Sequence, residues 1–150
     1  MDMKRVVIVG AGGAGKTVLA RQLGAILDLP VTHLDALRYD RAWRTVAEET
    51  YRAAQRNLVS ADRWLIEGNS LASLPIRAAR ADTIIVLDQH PLVCLAGILH
   101  RRLRYRGGQH PDGVFDRITP EVIRYVLGYR SRHLPRVLAC IREHGAHAQV

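Results

Sequence analysis

Between a β-branched run and a helical run the chain carries Gly10-Ala11-Gly12-Gly13-Ala14-Gly15-Lys16-Thr17, an arrangement that admits very few folds. Upstream, Arg5-Val6-Val7-Ile8-Val9 suits a strand buried on both faces of a parallel sheet. Downstream, Val18 to Leu27 places apolar residues at helical spacing as far as Leu29-Pro30. The eight residues fit G-x-x-x-x-G-K-[ST], whose backbone N–H groups wrap phosphates at a helix N-terminus. Gly10, Gly12, Gly13, Ala14 and Gly15 keep side-chain bulk away, so successive amides can form an anion-binding nest. Lys16 adds a mobile charge for the β- and γ-phosphates of a nucleoside triphosphate such as ATP. Thr17 offers a hydroxyl to Mg2+, which completes its shell with waters and phosphate oxygens.

Gly10, Gly12 and Gly15 also satisfy G-x-G-x-x-G, and Asp35 follows near the end of a second strand, as in a dinucleotide fold. Lys16-Thr17 argues against that register, because a dinucleotide loop has no use for a lysine and a hydroxyl at its helix start. A GTPase-like switch is disfavoured because no N-K-x-D segment is present.

At 150 residues the chain is expected to be one domain with a real core. No apolar run approaches the roughly 20 residues that span a bilayer, and Met1 to Lys4 leads straight into the first strand, so a cytoplasmic protein without membrane attachment is expected. Cys94 and Cys140 fall in expected helices, far apart and without metal-like spacing, as reduced buried thiols do. The net charge of +8 is almost all arginine, Lys4 and Lys16 being the only lysines. Ten arginines crowd the last third, among them Arg102, Arg106, Arg130 and Arg132. Such a cluster fits the phosphates of a nucleotide, the phosphates of a nucleic acid, or a solvated helix face.

Strand and helix signals then alternate, as a parallel α/β sheet demands. Val31 to Leu34 reads as a second strand ending at Asp35, and Thr45-Val46-Ala47-Glu48 has capping-box spacing for a helix to about Ser60. Trp64-Leu65-Ile66 is a third strand running into Glu67-Gly68-Asn69; a short helix near Leu74 to Arg80 precedes a fourth strand, Thr83 to Leu87, ending at Asp88. Pro91 starts a helix through the arginines, residues 107–113 form a loop, and Thr119-Pro120-Glu121 opens a helix to about Glu143, broken near Pro135. His147 to Val150 would begin a fifth strand.

Ligands bind at the strand ends of such sheets, so the acids there are the candidates for chemistry. Glu67 is the best candidate to hold Mg2+ beside Thr17, and Asp35 to grip or deprotonate the hydroxyl of a phosphoryl acceptor. Asp88 is a weaker candidate, and His33 reads as a packed or supporting histidine.

Lys4 to Val9 with the loop, Leu29 to Leu37, Asp62 to Asn69, Ala79 to Asp88 and Arg101 to Gly107 together resemble the topology modulation proteins, P-loop kinases of the adenylate kinase and shikimate kinase-like superfamily. The likeness runs over nearly the whole chain and is specific for the superfamily, not for a substrate. It implies a three-layer α/β/α P-loop domain with a five-stranded parallel sheet in the order 2-3-1-4-5 and a lid at about residues 106–118. Glu67-Gly68-Asn69 is similar to the Asp-Gly segment beside Mg2+ in adenylate kinases, with one extra methylene. Asp35 matches the acid that binds the acceptor in shikimate-type kinases. Arg102 and Arg106, with Arg101 and Arg104, match arginines leading into the lid, and Arg130 and Arg132 the pair leaving it. Relatives continue beyond the position of Val150 through a full fifth strand, an adenine-contacting loop and a last helix. The resulting expectation is an ATP- and Mg2+-dependent kinase for an unidentified small molecule, the alternative being a nucleotide-binding regulatory or nucleic-acid-associated ATPase.

Overall fold

The computed structural model describes residues 3–42, 44–106 and 118–150. The β-branched run forms β1 (Arg5–Gly10), whose Val6, Val7 and Ile8 are fully buried. Parallel to it lie β3 (Trp64–Glu67) on one side and β4 (Thr83–Leu87) on the other, with β2 (Val31–His33) outside β3, giving the order β2-β3-β1-β4. Burial on both faces explains why β1 and β3 read as continuous apolar runs rather than alternating ones.

The register decides where the chemistry falls. Ile8 pairs with Glu67 and His33 pairs with Glu67 on its other flank, so a carboxylate, an imidazole and the end of β1 meet at one sheet edge. Among the described residues the sheet has four strands rather than the expected five. Gln149 makes a single parallel bridge to Thr83, its carbonyl accepting from Ile84 N at 2.8 Å and its N–H donating to Asp82 O at 2.9 Å. That is the expected position of a fifth strand, next to β4, but only one residue deep.

Helices cover both faces. On one, α3 (Glu48–Val59), α4 (Leu74–Ala78) and α7 (Leu134–His144) bury Tyr51, Val59, Leu74, Val137 and Ile141 against Val7, Val9 and Ile66. On the other, α1 (Lys16–Leu27) buries Ala20 with Leu29 against Val6, Ile8 and Leu65. Full burial of each such aliphatic side chain contributes about 1.5–3 kcal/mol. A third cluster joins α5 (Pro91–Arg104) and α6 (Pro120–Gly128) to the phosphate-type loop through Ala11, Ala14, Cys94, Ile98 and Val126.

Three local expectations are corrected. The strand carrying Asp35 stops at His33, and Leu34–Leu37 makes one helical turn, α2, with Asp35 in it. The helix expected from the Thr45 capping box starts at Glu48 without a side-chain cap, because Thr45 forms an antiparallel bridge with Tyr39 and Glu48 pairs with Arg38 and Arg52 instead. The break expected near Pro135 is a π-helical turn over Tyr129–His133; Pro135 sits in the first turn of α7, where its missing N–H costs nothing. Thr119 does cap α6, its hydroxyl accepting from Val122 N at 3.3 Å. Nearly all of the expected lid, residues 107–117, lies outside the described residues.

The closest approach in the fold is between the loop and α5. A Cβ on Gly97 would stand 2.6 Å from the carbonyl oxygen of Gly13, and one on Gly13 would stand 2.0 Å from that of Cys94. Gly97→Ala gains up to about 1 kcal/mol in helix propensity, yet must push α5 off the loop, an overpacking cost of about 1–3 kcal/mol. A net loss of stability in urea unfolding is expected; a net gain would show that the two elements are not in van der Waals contact.

Candidate functional site

The loop after β1 turns through left-handed backbone at Gly13 (φ 76°) and Gly15 (φ 93°), the conformations that make an amide nest and that side-chain-bearing residues rarely adopt. Lys16 then starts α1, and its Nζ donates to Ala11 O at 2.8 Å, folding the ammonium back over the loop. Burial pushes that ammonium below its usual pKa; the carboxylates of Glu67 and Asp35 oppose the shift, and Arg101 adds to it. A partly desolvated ammonium in a ring of amides is a strong attractor for phosphate oxygens.

Glu67 closes β3 with its carboxylate buried to 7% exposure. Its Oε1 accepts from Thr17 Oγ1 at 3.3 Å and lies 2.7 Å from His33 Nδ1. His33 therefore orients the Glu67 carboxylate, and the parallel register of β2 on β3 puts it there. Among the described residues no three His, Cys, Asp or Glu side chains cluster as a protein-only metal cage. One carboxylate and one hydroxyl in contact at the head of a phosphate loop are the donor set of Mg2+, which takes its other ligands from phosphates and water. The residues fit the ion.

Asp35 sits across the site on α2, open to solvent but recessed among neighbouring groups. Loss of hydration, then the nearby negative charge of Glu67, push its carboxyl above the ordinary value, while Lys16, Arg101 and His33 pull it back. Asn69 ties the strand ends together: its Oδ1 accepts from Gly10 N at 3.0 Å and its Nδ2 donates to Tyr125 Oη at 3.1 Å. Burial raises the Tyr125 phenol to about 12, so it stays a neutral hydroxyl.

The arginines separate once folded. Arg102, Arg104 and Arg106 are exposed, whereas Arg101 is half-buried and acts electrostatically on both Lys16 and Asp35. Arg101 follows Cys94 and Ile98 at helical spacing, so the two buried residues mark the face it shares. That periodicity was the available signal for choosing it over Arg102. Arg130 is held by Asp88 at the end of β4, with Nε 2.8 Å from Oδ1 and Nη2 3.0 Å from Oδ2, a two-pronged pair. Arg132 is exposed beside Pro120, Ile123 and Leu127, lining a separate surface cleft of about 570 Å³. Gly10, Gly12, Gly13, Ala14, Gly15, Lys16, Thr17, Asp35 and Glu67 thus come together, with Arg101 added, whereas Arg102 and Arg106 are exposed, Arg130 is paired with Asp88 and Arg132 lines the separate cleft.

No protein-family model matches the chain. Its fold is that of the shikimate kinase-like P-loop proteins. A shikimate kinase from Bacteroides thetaiotaomicron superposes with a TM-score of 0.56 at 18% identity, covering 94% of this chain and 95% of that one. The shikimate kinase from Acinetobacter baumannii, solved in complex with shikimate, gives 0.56 at 15% identity over 99% of this chain and 83% of its own. A gluconokinase from Sinorhizobium meliloti gives 0.56 at 16% identity, with 97% and 91% covered. No described helix is long and apolar enough to cross a membrane.

The upward shift of Asp35 has a consequence for stability. A carboxyl whose folded pKa exceeds its unfolded one destabilises the fold at every pH above the folded value, and the penalty vanishes once both states are protonated. Asp35→Asn is therefore expected to raise the melting temperature at pH 7, the gain shrinking to nothing by about pH 3. Thermal melts across that range check it; a gain that does not change with pH would assign the effect to packing.

Proposed function

We propose that this chain is an ATP-dependent, Mg2+-requiring kinase that transfers the γ-phosphoryl group to a hydroxyl of a small molecule. The observation that carries the proposal is the pairing of two different acids at one sheet edge: Glu67 buried on Thr17 at the phosphate loop, and Asp35 open to solvent opposite it. A nucleotide-binding regulator needs the first but has no use for the second. The two shikimate kinases and the gluconokinase that share the fold support the same class.

Phosphoryl transfer asks the protein for positioning and charge stabilisation rather than covalent chemistry. The amides of residues 10–17 and the Lys16 ammonium would hold the β- and γ-phosphates. Thr17 and Glu67 would hold Mg2+, which when bound draws charge off the phosphate oxygens. Arg101, already beside Lys16 and Asp35, would neutralise charge that builds on the transferred group. Asp35 would orient the acceptor hydroxyl and take its proton on a carboxylate oxygen; burial and the nearby charge of Glu67 raise its affinity for that proton. Arg130 would reach phosphate only after leaving Asp88, whereas Arg132 faces the outer cleft, so the two are unequal.

Lys16→Ala is expected to lower turnover by about 10²-fold or more and to weaken Mg-ATP binding. Asp35→Asn is expected to leave Mg-ATP affinity nearly intact while cutting transfer by about 10²–10⁴-fold. ADP release across nucleosides, nucleotides, sugars and hydroxy acids, read against the ATPase background, finds the acceptor; affinity by calorimetry separates the two variants. Equal loss of Mg-ATP binding in both would move Asp35 into the metal site. Acceptor-independent hydrolysis with every class would favour the regulatory ATPase. Arg130→Ala is expected to reduce turnover more than Arg132→Ala, and equal effects would remove Arg130 from the site.

A further inference from the structure

Arg77 on α4 has no role in the chemistry above, yet among the described residues it is the largest side chain wholly removed from solvent. Among the described residues no carboxylate is a hydrogen-bond partner of it. Nη1 donates to Gln55 Oε1 at 2.5 Å and to Ser73 Oγ at 3.1 Å; Nη2 donates to Gly68 O at 3.5 Å and to Ser70 O at 3.4 Å. Burial lowers the guanidinium to about 10, which still leaves it fully charged at neutral pH. A buried cation satisfied only by neutral acceptors is expensive, and the cluster is not built for economy: Arg77 Nε and Gln55 Nε2 are buried without a hydrogen-bond partner among the described residues. Well-packed apolar residues would stabilise this part of the core at least as well.

What the guanidinium does accomplish is geometric. Its Nη2 gathers the carbonyls of Gly68 and Ser70, which flank Asn69. With both carbonyls drawn inward, Asn69 is left with its side chain directed the other way, onto Gly10 N at the first glycine of the phosphate loop. Gly68 is equally committed: its φ of 143° and the 2.7 Å a Cβ would leave to Leu34 Cβ restrict the position to glycine, and its N–H donates to Ile8 O at 3.0 Å. Ser70 is held twice more, its Oγ accepting from Ser73 Oγ at 2.8 Å and bonding the Tyr51 hydroxyl. A planar fork can serve two carbonyls and two side-chain oxygens together, which a lysine ammonium or an apolar residue cannot.

We infer that Arg77 is a positioning residue of the nucleotide site: from inside the core it fixes the Gly68–Ser70 turn, and through Asn69 it sets the strand-to-loop junction at Gly10. The inference rests on the nucleotide-site assignment for its binding readout, but its structural half stands apart from it. Arg77 touches neither substrate nor metal. It acts through a turn.

Two variants test it. Arg77→Lys keeps the charge and removes the fork; Arg77→Met combined with Gln55→Leu and Ser73→Ala removes the charge together with its two side-chain acceptors and frees the Gly68 and Ser70 carbonyls. Both are expected to melt within a few degrees of the parent protein, and the affinity for a non-hydrolysable Mg-ATP analogue, measured by calorimetry far below melting, is expected to fall about tenfold. Exchange of the Gly10 amide with solvent deuterium is expected to speed up by a similar factor. Asn69→Ala, which deletes only the last link, should reproduce both effects, since Asn69 is where the chain of contacts meets the loop. Unchanged affinity and unchanged Gly10 exchange in either folded Arg77 variant would overturn the inference and leave Arg77 a structural cation. If the parent protein itself fails to bind the analogue, the nucleotide-site reading falls, and Gly10 exchange alone decides whether Arg77 holds the junction.

Discussion

A glycine-rich loop turned through left-handed backbone at Gly13 and Gly15, with a buried ammonium folded over it, is the constraint around which this molecule is built. Left-handed backbone and a buried charge both cost free energy on folding. The loop is kept in place from several sides. Gly13 and Gly97 let the loop carbonyl and α5 approach more closely than any Cβ would permit. Asn69 fastens Gly10, and Ala11 O takes the Lys16 ammonium. Thr17 is anchored on Glu67. Preorganisation of this kind moves the cost of ordering from the binding step to the folding step, where the cluster of Cys94, Ile98 and Val126 with Tyr129 of the π-helical turn offsets it.

Charge at the site alternates in a way that follows from the sheet register. Glu67 and Asp35 lie on the β2–β3 side, Lys16 and Arg101 on the loop and α5 side, and each group shifts its neighbours in the expected sense. The negative pair is asymmetric. Glu67 is buried and held by two donors, whereas Asp35 is solvent-facing and loses hydration without gaining a fixed partner. Fixed against free is the difference on which the proposed roles of the two acids, cation ligand and proton acceptor, rest. Burial and the charge of Glu67 push the Asp35 carboxyl up, at a cost to the fold that no partner offsets among the described residues.

Beneath that layer a second set of polar groups reaches the site from the core. His33 steadies Glu67, and Arg77 draws the Gly68 and Ser70 carbonyls inward so that Asn69 faces out. Neither residue sits in a motif, and both arrive by register and helix packing. The Arg130–Asp88 pair plays a comparable part on the far side, binding the π-helical turn to the end of β4. His33 was legible as a supporting histidine from its place on the strand, but Arg77 and Asn69 are invisible to spacing arguments, because their partners are distant in sequence: Arg77 to Gln55 spans 22 residues and Asn69 to Gly10 spans 59.

The local code of the chain determined the strand–loop–helix unit at residues 5–27, the parallel alternation that follows, the proline-marked starts of α5 and α6, and the acids at the strand ends. Those features depend on side-chain size, backbone freedom and periodicity within about one element's length, so they can be read from neighbours alone. The tertiary structure decided the rest. It cut β2 at His33 and wound Asp35 into a helical turn, because Gly68 and Leu34 pack there; it left the fifth strand one bridge deep; and it chose Arg101 from a run of arginines by turning one face of α5 toward the loop. Composition reports that an arginine is present, but the field that it exerts depends on distance and burial, and those exist only once distant segments have packed.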